Sequence, residues 1–145
     1  MHFIGIDIGT TTICGIIYDF INRRMEMVTK ENDSTFKTNN HWEKLQDPER
    51  ILIIVKDILD YFTGKYKDIK GIGLTGQMHG ILYIDKNGNS LSKLINWQDG
   101  RGNLVFKNKL SYATYLNQSS KFERMRKILL ILYDLRLKQN IMEKR

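Results

Sequence analysis

A single cysteine and a single proline in 145 residues remove several kinds of protein from consideration at once. Cys14 alone closes no internal disulfide and builds no thiolate metal cluster. Set in "ICGII", it is expected as a buried structural thiol. The amino terminus "MHFIGIDIGT" lacks a basic segment followed by a long apolar stretch and a small-residue cleavage site. No secretory signal is therefore read, and a cytoplasmic chain without membrane association is expected. In that compartment the Asn-x-Ser matches at Asn32 and Asn117 carry no meaning. Linkers, low-complexity tracts and internal repeats are also missing. What is present is 41% hydrophobic, 10% aromatic and 27% charged, which excludes a disordered chain. A globule of this length buries about two-thirds of its unfolded surface, so it has room for a core.

The net charge of +7 raises the question of nucleic acid, and its distribution answers it. Residues 121–145 hold eight Lys and Arg against three Asp and Glu, which leaves 15 against 13 for residues 1–120. The excess belongs to the tail, no nucleic-acid module accompanies it, and a solvated helix face is expected instead.

Apolar β-branched runs in "HFIGIDIG" and "TICGIIYDF", followed by the alternating "RRMEMVTKE", predict three consecutive strands. Between Asp47 and Tyr66, apolar residues recur at helical spacing behind an Asp cap and a first-turn Pro48. "IKGIGLTG" reads as a buried, central fourth strand. "ILYIDKNGNSLSKLINW" reads as two strands around a turn. A second helix is expected from about Asn103 to Asn117, and a third, amphipathic and basic, over 122–142. Strands, helix, strand is an α/β order.

"GIGLTG", Gly71 to Gly76, matches the dinucleotide pattern but lacks a strand before the glycines and a helix after them, so it is rejected, and its glycines are expected to permit close packing of a central strand. Gly64-Lys65 fails as a P-loop, and His2, His41 and His79 are too scattered for a metal site. "GIDIGTTT" offers more. Asp7 inside an apolar run is costly without donors or a cation. It is either an Asx residue bonding the following turn or part of a phosphate loop. In the second case Gly9 turns the backbone, Thr10, Thr11 and Thr12 face a phosphate, and Asp7 holds Mg²⁺ through water.

"IGIDIGTTT", then "GQMHG" after a helix and a strand, then "NWQDGRGN", together resemble the start of the FGGY family of carbohydrate kinases. The resemblance covers about Phe3 to Asn103 and continues weakly to Gln118. "GQMHG" looks like the ketose branch, the xylulokinases and sedoheptulokinases, and "WQDGRGN" leans toward a sedoheptulokinase-like member. The resemblance implies an incomplete ribonuclease H-like domain of the actin, Hsp70 and sugar kinase superfamily over residues 1–118. A divergent helical tail follows over 119–145. It implies ATP as phosphoryl donor with Mg²⁺, a small-molecule ketose as partner and no nucleic acid. Asp7, Gly9 and Thr10 to Thr12 would meet the metal and phosphate. Gln77, Met78 and His79 would form the sugar turn, with Trp97, Asp99 and Arg101 beside it. For these last three a structural reading stands equally: Asp99 paired with Arg101 at a loop, and Trp97 in a core.

The family's catalytic-base aspartate and most of its ATP site fall beyond residue 145, so no general base is assigned. Past Ser119 the resemblance stops, the basic charge rises and the apolar run from Ile128 to Tyr133 begins. Those changes together point to a truncated or frame-disrupted product. The alternative expectation is a non-catalytic binding module or pseudoenzyme whose tail helix offers a surface to a partner or a second copy.

Overall fold

The computed structural model describes residues 1–118. They fall into two units, Met1–Asp99 and the residues from Gly100 onward, each described by itself. The first unit is built on a four-stranded sheet with strand order β3-β2-β1-β5. Its members are β1 (His2–Ile8), β2 (Thr12–Asp19), β3 (Arg24–Glu31) and β5 (Ile69–Gly76). β1, β2 and β3 run antiparallel in sequence, and β5 returns parallel to β1. Helix α1 (Pro48–Lys65) makes that crossover, as a parallel return requires. Between β3 and α1 lies the two-residue strand β4 (Leu45–Gln46), which pairs with β6 (Leu94–Ile95).

Period-two alternation puts Ile4 and Ile6 of β1 and Ile13 and Ile17 of β2 against α1. The helix answers with Ile51, Ile54, Val55, Ile58 and Phe62, all buried. Each such side chain contributes about 1.5–3 kcal/mol by leaving water. Gly15 lies on the same face, and a Cβ there would stand 2.3 Å from Ile58 Cγ2 and 3.0 Å from Phe62 Cε2. That missing side chain is what lets α1 lie this close to β2. α1 begins where its sequence says it should: Asp47 accepts from the Glu49 N–H and Pro48 occupies the first turn.

Several expectations need correction. β5 is an edge strand among the described residues, not a central one, with Ile72 53% and Leu74 68% exposed. Gly71 and Gly73 are not forced by packing either, since Cβ atoms there would meet nothing nearer than 3.5 Å and 4.0 Å, whereas one at Gly76 would lie 3.3 Å from Ile8 O. Cys14 is half-buried rather than buried, because it alternates onto the sheet face away from α1, where the Thr29 hydroxyl reaches its Sγ. The two strands expected from Ile81 to Trp97 do not form a hairpin ladder: they meet in single bridges, Ile81 to Ile95 and Ile84 to Ser90, around a turn held by the Asp85 carboxylate, and Leu94–Ile95 pairs instead with β4.

In the second unit the helix expected from Asn103 is mostly absent. A 3₁₀ turn (Arg101–Asn103) leads into a hairpin of β7 (Val105–Lys107) and β8 (Leu110–Ser111), and α2 is confined to Tyr112–Asn117. Asn108 and Lys109 take left-handed φ values of 51° and 62°, the geometry of a tight hairpin turn that no helix contains. Ser111 caps α2 by accepting from the Thr114 N–H. The tail helix expected over 122–142 and the 119–145 segment lie outside the described residues.

Candidate functional site

β1 and β2 are joined by a turn through Gly9, Thr10 and Thr11, closed by the Gly9 N–H donating to Thr12 O at 3.0 Å. A Cβ on Gly9 would lie 2.7 Å from that same oxygen, so the turn admits glycine alone at this position. The three carbonyls of the turn all point into the protein. Gly9 O accepts from Asn32 Nδ2 at 2.8 Å, Thr10 O from Gln46 Nε2 at 3.0 Å, and Thr11 O from the Asn32 N–H at 2.8 Å. Asn32, Ser34 and Gln46 are almost wholly buried, and Gln46 has no exposed surface at all. Buried amides of this kind cost about 1–3 kcal/mol each if left unpaired, so their full pairing holds the turn in one arrangement.

β5 ends beside this turn because it is parallel to β1, and the Gln77 N–H extends the ladder by donating to Ile8 O at 2.9 Å. The Gln77 side chain then accepts from the Thr10 hydroxyl at 2.8 Å and donates to Gln46 Oε1 at 2.8 Å. Met78 is 73% exposed, and His79 is exposed with a left-handed φ of 62°. A non-glycine residue in that region is uncommon, and histidine is among the residues that tolerate it best.

Asp7 occupies the sheet face away from α1, across from Cys14, and its side chain is exposed. The desolvation cost expected for it does not arise. Trp97 is no core residue: it is 57% exposed, and its indole N–H donates to the Thr10 hydroxyl at 3.0 Å. Asp99 accepts from the Lys44 N–H at 2.9 Å. Arg101 opens the 3₁₀ turn of the second unit. Thus Gly9, Thr10, Gln77 and Trp97 are joined by direct bonds or by the turn itself, Asp7 and Thr12 flank that turn, and Met78 and His79 extend from Gln77.

A cavity of about 600 Å³ adjoins the turn, lined among others by Thr10, Thr11, Asn32, Lys37, His41 and Lys44. The segment that walls it is tied to α1 by a forked ion pair, Arg50 Nε and Nη2 to the Asp33 carboxylate at 2.7 Å and 2.8 Å. The Arg50 guanidinium holds the Asp33 carboxyl below the usual carboxylate range. Sequence reasoning missed Asn32, Ser34 and Gln46. The one available signal was Gln46 standing directly before the Asp47-Pro48 helix start.

Both turns lie at the carboxyl ends of adjacent parallel strands, where α/β sheets gather their ligands. The class is therefore an α/β domain with a hydroxyl-bearing turn bonded to an amide- and imidazole-bearing one. Residues 2–134 match the FGGY family of carbohydrate kinases, N-terminal domain, and the chain belongs to that family. It is 33% identical over 105 residues to the xylulose kinase of Staphylococcus epidermidis, covering 70% of this chain and 21% of that protein. To the xylulose kinase of Klebsiella pneumoniae it is 31% identical over 103 residues, covering 68% and 20%. Among solved structures, ligand-bound xylulose kinase from Lactobacillus acidophilus superposes with a TM-score of 0.59 at 27% identity, covering 68% of this chain and 20% of that one. Gluconate kinase from the same organism gives 0.62 at 26%, covering 70% and 20%. The fold is that of the sugar kinases, a partial ribonuclease H-like domain of the actin and Hsp70 type. The chain spans about a fifth of the length of the relatives it matches. No helix among the described residues is long and apolar enough to cross a membrane.

Proposed function

We propose that this chain carries the phosphate loop and part of the sugar site of an ATP-dependent ketose kinase. The observation that carries this reading is the inward pairing of all three turn carbonyls at Gly9, Thr10 and Thr11. A phosphate approaching such a turn meets no free carbonyl dipole to repel it, and the exposed Thr11 and Thr12 side chains stand at its outer face. The Thr10 hydroxyl already donates to Gln77 and accepts from Trp97, so its work is to join the phosphate loop to the ketose turn.

Among the described residues no cluster of three or more carboxylates, imidazoles or thiols could cage a metal. That fits Mg²⁺ in this role, since it keeps most of its waters and needs one or two carboxylates beside the substrate phosphates. Asp7, exposed one residue before the end of β1, would hold it. When bound, the ion neutralises charge on the transferred phosphoryl group. A sugar hydroxyl oxygen forms the new bond to phosphorus as the bond to ADP breaks. The proton goes to a carboxylate that this chain does not assign. Met78 and His79 orient the sugar, the imidazole offering one donor and one acceptor to a polyol.

The substrate is a ketose of the xylulose or sedoheptulose type, and the xylulose kinases among the relatives favour the former. Thermal melting of the chain with D-xylulose, sedoheptulose and a matched aldose tests this, because a ligand that binds only the folded state raises apparent stability. A ketose-selective rise supports the reading, and equal flat responses to all three remove it. The rival is a non-catalytic binding module. Its support is the apolar surface that β5 leaves in solvent at Ile72 and Leu74.

A further inference from the structure

The fully buried Gln46 side chain makes three hydrogen bonds, to Thr10, Ser34 and Gln77. We propose that it is a positioning residue of this site, closing a ring that makes the phosphate loop and the ketose turn one rigid piece. The inference rests on the kinase reading for its consequence and on geometry for its content. The Thr10 hydroxyl donates to Gln77 Oε1, Gln77 Nε2 donates to Gln46 Oε1, and Gln46 Nε2 donates to Thr10 O, at 2.8, 2.8 and 3.0 Å. The ring thus returns to the residue where it began.

Its sense is fixed. Reversing the Gln46 amide would set NH₂ against NH₂ at Gln77 and oxygen against oxygen at Thr10. Reversing Gln77 would strip the Thr10 proton of its acceptor while Trp97 still donates to that hydroxyl. The second proton of Gln46 Nε2 goes to Ser34 Oγ at 3.0 Å, Ser34 donates to Asn32 Oδ1 at 2.6 Å, and Asn32 Nδ2 reaches Gly9 O at 2.8 Å. One buried amide therefore governs two successive carbonyls of the loop and the side chain of the opposite turn. Phosphoryl transfer needs acceptor and donor held in line to within a fraction of an ångström, and this is the element that would hold them.

Amide hydrogen exchange in the full chain reads the ring directly. Gly9 N–H, bonded to Thr12 O, and Asn32 N–H, bonded to Thr11 O, report the loop, and Gln77 N–H, bonded to Ile8 O, reports the turn. Gln46→Met should speed exchange at all three on the order of tenfold, with amides of α1 and of β2–β3 changed less than about twofold. Gln77→Met, at a half-buried position more tolerant of change, should speed the loop amides Gly9 and Asn32 similarly without touching either. The double variant should exceed either single by no more than about threefold, because a ring opened once is already open. Loop amides unmoved by Gln77→Met, or a roughly hundredfold multiplicative effect in the double variant, would overturn the proposal.

D-Xylulose supplies the functional readout. It should slow Gln77, Gly9 and Asn32 in the unmodified chain and Gln77 alone in Gln46→Met. Slowing of the loop amides to the same degree in Gln46→Met would also overturn the proposal. If D-xylulose slows none of them in the unmodified chain, the ketose reading falls, and the double-variant comparison still decides the ring.

Discussion

Gly15→Ala places one methyl group where β2 meets α1. The new Cβ would lie 2.3 Å from Ile58 Cγ2, 3.0 Å from Phe62 Cε2 and 3.2 Å from Ile6 Cδ1, all buried side chains with little freedom to yield. Overpacking of this kind costs about 1–3 kcal/mol. Loss of unfolded-state freedom at a former glycine offsets roughly 0.4–1 kcal/mol. The net expectation is destabilisation by about 1–2 kcal/mol, or roughly 0.5–1 M in the urea midpoint at an unchanged slope. Gly73→Ala is the matched control, since its Cβ meets nothing nearer than 4.0 Å, and it should stay within about 0.5 kcal/mol. Ile58→Ala removes the methyl that the new Cβ strikes. The double variant should therefore cost less than the sum of the singles by about 1 kcal/mol or more. Strict additivity, or a Gly15→Ala midpoint equal to that of the unmodified chain, would refute the packing of α1 on β2 described above.

Glu26 accepts from Lys65 Nζ, Tyr61 OH and Tyr66 OH at 2.7, 2.6 and 2.7 Å, and these bonds, Lys65 first, bring its carboxyl down to about 2. A depressed acid stabilises the fold above its unfolded value of 4.5 and loses that contribution as pH falls toward 2. Carboxyl titration by NMR should show the low midpoint, and Lys65→Met should raise it; a midpoint unmoved by that change would break the assignment. Asp47→Ala removes the α1 cap and should cost about 1 kcal/mol in urea unfolding, whereas no change would mean the cap contributes nothing. Asp7→Ala, at an exposed position, should leave stability within about 0.5 kcal/mol. The chain by itself should show no ketose-dependent ADP formation. Turnover by the unmodified chain that Asp7→Ala abolishes would contradict this division of labour.

The parts of this molecule that were legible in its sequence are those whose partners are local. Asp47, Pro48 and the apolar spacing to Phe62 specify α1 without help from elsewhere, and the alternation of Ile13, Gly15 and Ile17 specifies the buried face of β2. β5 departs from the expectation because an apolar run tells that burial is favourable, and among the described residues no strand lies beyond it to provide that burial. Gly71 and Gly73 misled for the same reason. The region from Asn103 to Asn117 was misjudged because Asn108 and Lys109 break a helical pattern by backbone conformation, which apolar spacing does not encode. Within the candidate site, Gly9 and the threonines could be proposed from residue type, and the Gln77–His79 turn from the family resemblance. Gln46 could not, because a glutamine is ordinary until the fold buries it completely and aims its amide at groups 31 and 36 positions away.

The central claim is that the turn after β5 receives a ketose. ¹⁵N–¹H spectra of the full chain, titrated with D-xylulose, test it most directly. The account predicts shifts that saturate at Gln77, Met78 and His79 and at the Trp97 indole N–H, with the amides of α1 undisturbed. Saturable shifts confined to other residues, or none at all at these four, would contradict it.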